Sequence, residues 1–259
     1  MSDPTVIVQI INLDRSADRM AQMASALDQQ NVSYVRLPGV DGKSGPPEVI
    51  ANYDAQRSKR LFGRPLLAGE VGCYQSHLNA AQAFLDSSAD LGLVLEDDVT
   101  VPQDFGDMIT HLRRLAAGLG QPQWHVMHLG KAVTKIHLPA VAPDWPATLP
   151  TPLRAFYLPV TTHALLWSRP GAERFLRDCG EVVMPVDNAL KSHSCRTAAG
   201  IGFDAPLIQP GRMRSLINDG DPRARKPNRA KLSRFHVISV RRRMTDYWIA
   251  GRAKSAARR

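Results

Sequence analysis

The apolar residues at the start of the chain follow first the spacing of a strand and then that of a helix. Val6 to Ile11 form a β-branched run that is typical of a buried strand. Apolar residues from Met20 to Leu27 then recur at helical spacing, behind Ser16, which can cap a helix. Ser33 to Leu37 predict a second strand. A strand, a helix and a second strand in this order favour a doubly wound α/β sheet.

The same alternation continues through most of the chain. It predicts helices over residues 70–85, 104–117, 170–177 and 185–192, and strands over 91–95, 124–129 and 163–167. Six prolines in residues 139–159 predict a long irregular segment. After residue 211 no single period dominates, although Val237 to Tyr247 fit a basic helix. We therefore expect an α/β domain over residues 1–211 and a C-terminal extension over residues 212–259.

The extension is strongly basic, whereas the rest of the chain is slightly acidic. Residues 212–259 contain 15 Lys and Arg but 3 Asp and Glu, and residues 1–211 contain 18 and 21. This asymmetry bears on partners rather than on the fold. We expect an anionic membrane surface as the partner, because each basic residue near such a surface contributes about 1 kcal/mol. A disordered, solubilising tail is the alternative.

RNA binding is a second alternative for the extension. Its basic residues would then contact phosphates: Lys226, Arg229, Lys231, Arg234 and Arg241 to Arg243. No RNA-recognition motif accompanies these residues, and the extension offers few aromatic side chains for stacking on bases. A nucleic-acid partner is therefore less favoured than a membrane surface.

Three features of the sequence point to a cytoplasmic location. The chain lacks an apolar run of about 18 residues that would span a membrane. Its N-terminus lacks the basic start and long apolar core of a signal peptide. Cys73, Cys179 and Cys195 are too widely spaced to suggest a disulfide framework, which fits a reducing compartment.

Three adjacent acids, Glu96, Asp97 and Asp98, directly follow the predicted strand at 91–95. Carboxylates at a buried strand end repel one another, and a divalent cation such as Mn²⁺ or Mg²⁺ would remove that cost. Such a cation can also bind a diphosphate. Neighbouring side chains on a strand face opposite sides, so at most two of the three acids are expected as direct ligands. A solvated acidic turn is the alternative.

Four segments in order carry a resemblance to a known family. They are IINLDRSADR, LPGVDGK, GEVGCYQSHLNAAQAFL and LVLEDDV, within residues 10–99. Their order and spacing resemble glycosyltransferase family 25, over roughly residues 5–210. The resemblance implies a GT-A-like, Rossmann-type fold with a mostly parallel sheet flanked by helices. It also implies a UDP-sugar donor, a Mn²⁺-type metal, and in bacterial members a lipid-linked saccharide acceptor at the inner face of the membrane.

The resemblance also implies roles for individual residues. The residues expected to bind the donor are Asn12, Leu13, Arg19, Asp41, Glu70, Ser76, His77, Asp97 and Gln209. Those expected to hold the metal are Asp98, Glu96 and His163, and Asp187 is expected to be the catalytic base, with Glu96 in reserve. Several of them have ordinary alternatives. Arg19 can be a surface charge, Asp41 part of a plain turn, and Asp187 a helix cap.

The resulting hypothesis is a metal-dependent transferase that moves galactose or glucose from a UDP-sugar to a saccharide, with inversion at the anomeric carbon. A metal-dependent nucleotidyltransferase is the competing enzyme class, since it would also place acids at a strand end. Such an enzyme would normally add a phosphate-binding loop near the first strand, and neither a P-loop nor a G-x-G-x-x-G motif is found there.

Overall fold

A computed structural model describes residues 3–120, 123–211 and 229–259. The strands are β1 Val6–Asn12, β2 Val35–Pro38, β3 Leu91–Glu96, β4 Val99–Thr100, β5 Val126–His128, β6 His137–Pro139, β7 Pro152–Ala155, β8 Ala164–Ser168, β9 Gly200–Phe203 and β10 Gln209–Pro210. The helices are α1 Ala17–Asp28, α2 Pro47–Ile50, α3 Ala55–Leu61, α4 Ala68–Asp86, α5 Phe105–Leu119, α6 Arg169–Cys179, α7 Val186–Thr197 and α8 Arg229–Ala256. A short 3₁₀ turn, Asp14–Ser16, joins β1 to α1.

Eight of the strands form one sheet in the order β2-β1-β3-β8-β5-β9-β7-β6. β1 pairs in parallel with β2 and β3, whereas β8 runs antiparallel between β3 and β5. β7 is the other strand that runs against the majority direction. The expected α/β class, with a mostly parallel sheet flanked by helices, is therefore confirmed.

The sheet is buried on both faces, and β3 shows why. Leu91, Leu93 and Leu95 face a core that contains α1 and α5, while Val94 faces a second core with α4, α6 and α7. This alternation explains why β3 is an uninterrupted apolar run, as in strands that are covered on both sides. The three layers place the carboxyl ends of β1, β2 and β3 at one edge, where open α/β sheets bind ligands.

The expectation of an irregular segment over residues 139–159 is wrong in part. β6 and β7 form an antiparallel pair that extends the sheet, with His137 opposite Ala155. Pro139 ends β6 and Pro152 begins β7. Strand ends and edges are the positions in a sheet that tolerate proline. The six prolines are therefore compatible with a strand pair, although their number predicts a loop.

The basic helix expected over Val237 to Tyr247 is confirmed and is longer, since it forms part of α8. α8 packs on α7, where Asp246 lies 3.1 Å from the Lys191 ammonium and accepts a hydrogen bond from Ser192. Ala250 is fully buried. Lys226 lies outside the described residues. Within the described part of the chain, no helix is both long and apolar enough to cross a membrane.

Candidate active site

Asn12, the last residue of β1, connects the ends of three neighbouring strands. Its amide nitrogen donates to Asp97 Oδ2 (2.7 Å) and to the Ser16 carbonyl (3.0 Å). Its amide oxygen accepts from Arg36 Nε at 2.9 Å. The residue is 2% exposed. Buried amides need such partners, and these bonds fix the loop after β1 against the acids after β3.

Asp97 is occupied by partners within the protein. Besides Asn12, it accepts a hydrogen bond from Arg19 Nη1 at 3.0 Å. The side chains of Arg19 and Asp97 are 11% and 10% exposed, so Arg19 is not the plain surface charge that the sequence allowed. Arg19 Nη1 lies 4.0 Å from Asp98 Oδ2. Both carboxylate oxygens of Asp97 are therefore engaged by partners within the protein.

The environment of Asp98 disfavours its charged form. Burial, together with the negative charges of Glu96 and Asp97, raises the pKa of Asp98 above its ordinary value. Arg19 and His163 oppose this shift. A buried carboxylate whose pKa is raised by like-charged neighbours is stabilised when a cation binds beside it.

Glu96 points towards α4 rather than towards α1. Its Oε1 lies 3.0 Å from His77 Nε2 and accepts a hydrogen bond from Thr162 Oγ1 at 2.8 Å. Burial alone would raise the pKa of Glu96, but the hydrogen bonds and charge of His77, together with Thr162, lower it. Glu96 is therefore ionised and held in place. Thr162 was not identified from the sequence, because it lies 66 positions away and only the antiparallel β8 brings it here.

His163 lies beside the same strand end. Its carbonyl accepts from the Glu96 backbone nitrogen at 2.9 Å. Its ring Nε2 is buried and has no hydrogen-bond partner among the described residues. The ring rests on Gly130, where any Cβ would collide with it. Glycine is thus required at residue 130, a second feature that the sequence did not reveal.

Asp98, Glu96 and His163 offer ligand types that suit the divalent cation the resemblance implies, but their ligand atoms do not all lie within 4.8 Å of one another. Carboxylate oxygens and imidazole nitrogens are suitable ligands for Mn²⁺. The buried Nε2 of His163 lacks a partner in the described part of the chain, and Asp98 carries a raised pKa. These three residues would hold the ion.

A second trio, Cys73, His77 and Glu96, has ligand atoms that all lie within 4.8 Å of one another. Burial raises the pKa of the Cys73 thiol well above its ordinary value, and nearby acids raise it further. A thiol sulfur is a soft ligand, whereas Mn²⁺ and Mg²⁺ prefer oxygen ligands. We therefore interpret this trio as packing that orients Glu96.

The motifs around Asp41 and Glu70 interlock. A Cβ on Gly42 would collide with the backbone of Ala68, and one on Gly72 would collide with the Val40 carbonyl. Ser76 Oγ accepts from the Val40 nitrogen at 2.8 Å. The two motifs thus form one contact between the loop after β2 and α4.

Within this contact, Glu70 and Asp41 each have a cationic partner. Glu70 accepts two hydrogen bonds from Arg64 and one from the Leu67 nitrogen, so it caps α4. Asp41 accepts from Arg15 Nε at 2.7 Å, and this hydrogen bond lowers the pKa of Asp41.

Asp187 lies in the first turn of α7, one residue after the helix begins at Val186. Pro185 occupies the cap position, so Asp187 is not itself the helix cap. Its Oδ1 accepts from the backbone nitrogen and the side chain of Asn188 at 2.6 and 2.8 Å. Burial raises the pKa of Asp187, and Asn188 opposes the shift.

Asp187 and the acids after β3 lie around one residue, Cys73. The charges of Glu96, Asp187, Asp98 and Glu70 all act on its thiol. Two acidic centres from distant parts of the sequence thus lie near the same residue of α4.

Gln209 and Leu13 lie at the margins of the site. Gln209 is in β10 and pairs with Thr100 of β4, the short strand that comes directly after the three acids. The Leu13 carbonyl accepts from the Ser16 nitrogen at 2.8 Å and begins the turn into α1. Beside this turn lies an open groove of about 350 Å³, lined by Asn12, Asp14 and Arg36 and by Ala17, Met20, Ala21 and Ala24 of α1.

Comparison with known proteins gives consistent results for the first half of the chain. The family model described as "Glycosyltransferase family 25 (LPS biosynthesis protein)" matches residues 6–136. Procollagen galactosyltransferase 1 of Danio rerio is 28% identical over 136 residues, which cover 51% of this chain and 22% of the relative. Probable inactive glycosyltransferase 25 family member 3 of Rattus norvegicus is 27% identical over 130 residues, covering 48% and 22%.

The chain thus spans about a fifth of the length of these relatives. A solved structure of a glycosyltransferase involved in glycosylation of the major capsid of PBCV-1 aligns with a TM-score of 0.33 and 12% identity. That alignment covers 66% of this chain and 63% of the other.

Proposed function

Because this chain belongs to glycosyltransferase family 25, we propose that it transfers a hexose, galactose or glucose, from a UDP-sugar to a saccharide acceptor. The observation that carries this proposal is the pair of acidic centres that both act on the Cys73 thiol. One centre, at Asp98, suits the diphosphate of a donor. The other, Asp187, suits the acceptor hydroxyl.

The donor would lie along the carboxyl ends of β1 and β3. The groove beside α1 can accept the nucleoside, with Asn12 and Arg36 among its polar lining residues. Asp98, Glu96 and His163 would hold Mn²⁺ next to the diphosphate. When bound, the ion neutralises the charge that develops on the UDP leaving group. Arg19 adds a further positive charge at that position, 4.0 Å from Asp98.

Asp187 is the proposed base of an inverting transfer. The acceptor oxygen forms a bond to the anomeric carbon while the bond from that carbon to the diphosphate breaks, and the bonding electrons leave with UDP. The proton of the acceptor hydroxyl passes to Asp187. A carboxylate whose pKa is raised towards neutrality is a better proton acceptor than an ordinary aspartate.

Release of UDP tests this function directly. The protein is incubated with UDP-glucose, UDP-galactose or their N-acetyl forms, with Mn²⁺ and then with a chelator. Sugar transfer releases UDP, whereas the competing nucleotidyltransferase reaction releases pyrophosphate. Pyrophosphate as the product, or no turnover with any of these donors, would contradict the proposal.

We further propose that α8 docks on an anionic membrane surface that carries a lipid-linked acceptor, with the protein peripheral on the cytoplasmic side. Val237, Met244 and Trp248 are 65%, 68% and 61% exposed and fall on one face of the helix. Arg241 and Arg252 lie on the same face, and Arg252 covers the Trp248 ring at 4.8 Å. Exposed apolar and basic side chains in one stripe suit a charged interface.

Vesicle sedimentation tests the docking. Trp248→Ser with Arg241→Gln should weaken binding to phosphatidylglycerol vesicles by at least tenfold, because one apolar anchor and a charge worth about 1 kcal/mol are lost. Val141→Ser is the matched control, since Val141 is an exposed apolar residue outside α8. Equal binding of all three proteins would dismiss the docking proposal.

A further inference from the structure

α8 reaches the beginning of α7 through Arg242. Its Nη2 donates a hydrogen bond of 2.8 Å to Asn188 Oδ1, and Asn188 Nδ2 donates one of 2.8 Å to Asp187 Oδ1. The two ends of an amide differ only in donor and acceptor character. A guanidinium on the oxygen end therefore fixes the nitrogen end towards Asp187.

Arg242 is itself held in place from several sides. Its guanidinium lies 4.7 Å from the centre of the Phe62 ring, which accounts for its orientation. Its Nε and Nη1 are buried and have no hydrogen-bond partner among the described residues, so its directed bond is the one to Asn188. One helical turn further along α8, the ion pair between Asp246 and Lys191 fixes the helix against α7.

We propose that Arg242 is a positioning residue for Asp187, acting through Asn188 and through its own charge to keep the carboxylate aimed and ionised. This inference rests on the proposed role of Asp187 as the base. It makes the basic C-terminal helix part of the active site as well as a candidate membrane contact.

The charged groups around Asp187 come from three helices and shift its pKa in opposite directions. Glu70 of α4 raises the pKa of Asp187, and Lys191 of α7 lowers it. Arg242 of α8 interacts favourably with Asp187. The nearby Cys73 of α4 is a protonated thiol, and Glu70 is paired with Arg64. Burial and the charge of Glu70 raise the pKa of Asp187, and the positive charge of Arg242 counteracts them. The pKa of Asp187 should therefore rise when that charge is removed.

The test uses the full chain, a soluble acceptor and the rate of UDP release as a function of pH. Arg242→Gln should lower kcat by about tenfold, with little change in KM for the UDP-sugar, because misaligned catalytic groups slow the chemical step. It should also move the acidic limb of the kcat profile to higher pH. Arg242→Lys should restore the position of that limb because it keeps the charge. Arg243→Gln, an exposed neighbour with the same charge, is the control.

A double-mutant cycle tests the path through Asn188. If Arg242 acts through Asn188, the double variant Arg242→Gln with Asn188→Ala should be little worse than the poorer single variant. The inference would be overturned if the losses of kcat in the two single variants add in the double variant. It would also be overturned if the acidic limb of the kcat profile stays in place in Arg242→Gln, even if that variant has a lower melting temperature. Asn188→Ala and Arg242→Lys keep the test valid if Arg242→Gln fails to fold.

The failure of this inference can be separated from the failure of the proposed function. If Asp187→Asn retains transfer, Asp187 is not the base and the inference fails with it. If Asp187→Asn is inactive while the acidic limb of Arg242→Gln stays in place, the proposed base stands and the positioning role alone is rejected.

Discussion

At the scale of the residue, the three adjacent acids differ because their neighbours differ. Asp97 is bound by Asn12 and Arg19, and Glu96 is bound by His77 and Thr162. The pKa of Asp98 is raised by burial and by the charges of Glu96 and Asp97. Three adjacent carboxylates thus differ in role because of their neighbours: Asp97 is a structural anchor, whereas Asp98 and Glu96, which its partners orient through Oε1, are the candidate ligands.

Asp98→Ala should reduce UDP release by at least about 100-fold, because a ligand of the proposed Mn²⁺, whose charge would stabilise the leaving diphosphate, is lost. Asp107→Ala, an exposed acid on α5, should keep normal turnover. Both variants are assayed with Mn²⁺ and Mg²⁺. Near-normal turnover in Asp98→Ala would remove Asp98 from the proposed metal site.

Gly130→Ala should weaken Mn²⁺ binding by about tenfold or more, because the new methyl group displaces the His163 ring. Titration calorimetry with Mn²⁺ alone measures this without any dependence on turnover. Gly118→Ala is the control, since a Cβ at Gly118 would enter open space. Unchanged Mn²⁺ affinity in Gly130→Ala would mean that His163 is not a ligand.

The residue scale also shows how far the sequence could predict the site. Asn12, Glu96 and Asp98 follow strands whose period is clear, so their meeting at one sheet edge could be predicted. Thr162 and Gly130 could not, because both depend on the antiparallel placement of β8 beside β3. Arg242 could not either, because no local pattern indicates which residue faces Asn188.

At the scale of the element, strands and helices with strong apolar periods were predicted well. β1, β3, α4 and α5 lie within a few residues of their expected bounds. β9, Gly200–Phe203, was missed because its two glycines give no strand signal. β6 and β7 were missed because prolines at strand ends resemble those of a loop.

The contact between α7 and α8 depends on an ion pair that is almost completely buried. The side chains of Lys191 and Asp246 are 1% and 6% exposed. Asp246→Ala should therefore lower the free energy of unfolding by about 3–5 kcal/mol, since it leaves a buried ammonium without a counter-charge. Urea denaturation at neutral pH measures the change.

The matched control for this pair is an exposed ion pair. Glu181→Ala removes the partner of Arg57, which is 48% exposed, and should cost about 1 kcal/mol or less. Replacing both buried charges, Lys191→Met with Asp246→Leu, should recover most of the loss. A cost for Asp246→Ala no larger than that for Glu181→Ala would show that the ion pair contributes little.

At the scale of the whole molecule, two buried histidines contribute to the loss of stability in acid. Burial lowers the pKa of both His128 and His193 to about 4. The unfolded chain binds these protons near pH 6.5, whereas the folded chain binds them only near pH 4. Protonation between these values therefore favours the unfolded state, and stability falls as the pH is lowered through this range.

Each of these histidines should cost up to about 3 kcal/mol between pH 7 and pH 4. His193→Asn, which cannot take up the proton, should reduce the difference in the free energy of unfolding between pH 7 and pH 4.5. Urea titrations at both pH values, on this variant and the unaltered chain, give that difference. If the free energy of unfolding depends equally on pH in the two proteins, His193 is not a source of the acid sensitivity.

Net charge divides the chain at residue 211, but packing does not follow that division. The basic surplus lies on residues 212–259, yet α8 within them places Asp246 and Ala250 in buried positions against the preceding helices. Charge reports which side chains face solvent or an anionic partner. It does not show which face of a helix is buried, because the buried face contributes only a few residues to the net charge of the segment.

The packing of α8 on α7 also determines the shortest fragment that can be produced in folded form. A gene shortened to residue 211 would leave Lys191 against apolar side chains without its counter-ion, and would uncover Phe156 and Cys195, which pack with Ala250. Such a fragment should aggregate when overproduced. Protein produced for crystallisation should therefore retain the residues through Ala256. A fusion tag is better placed at the N-terminus.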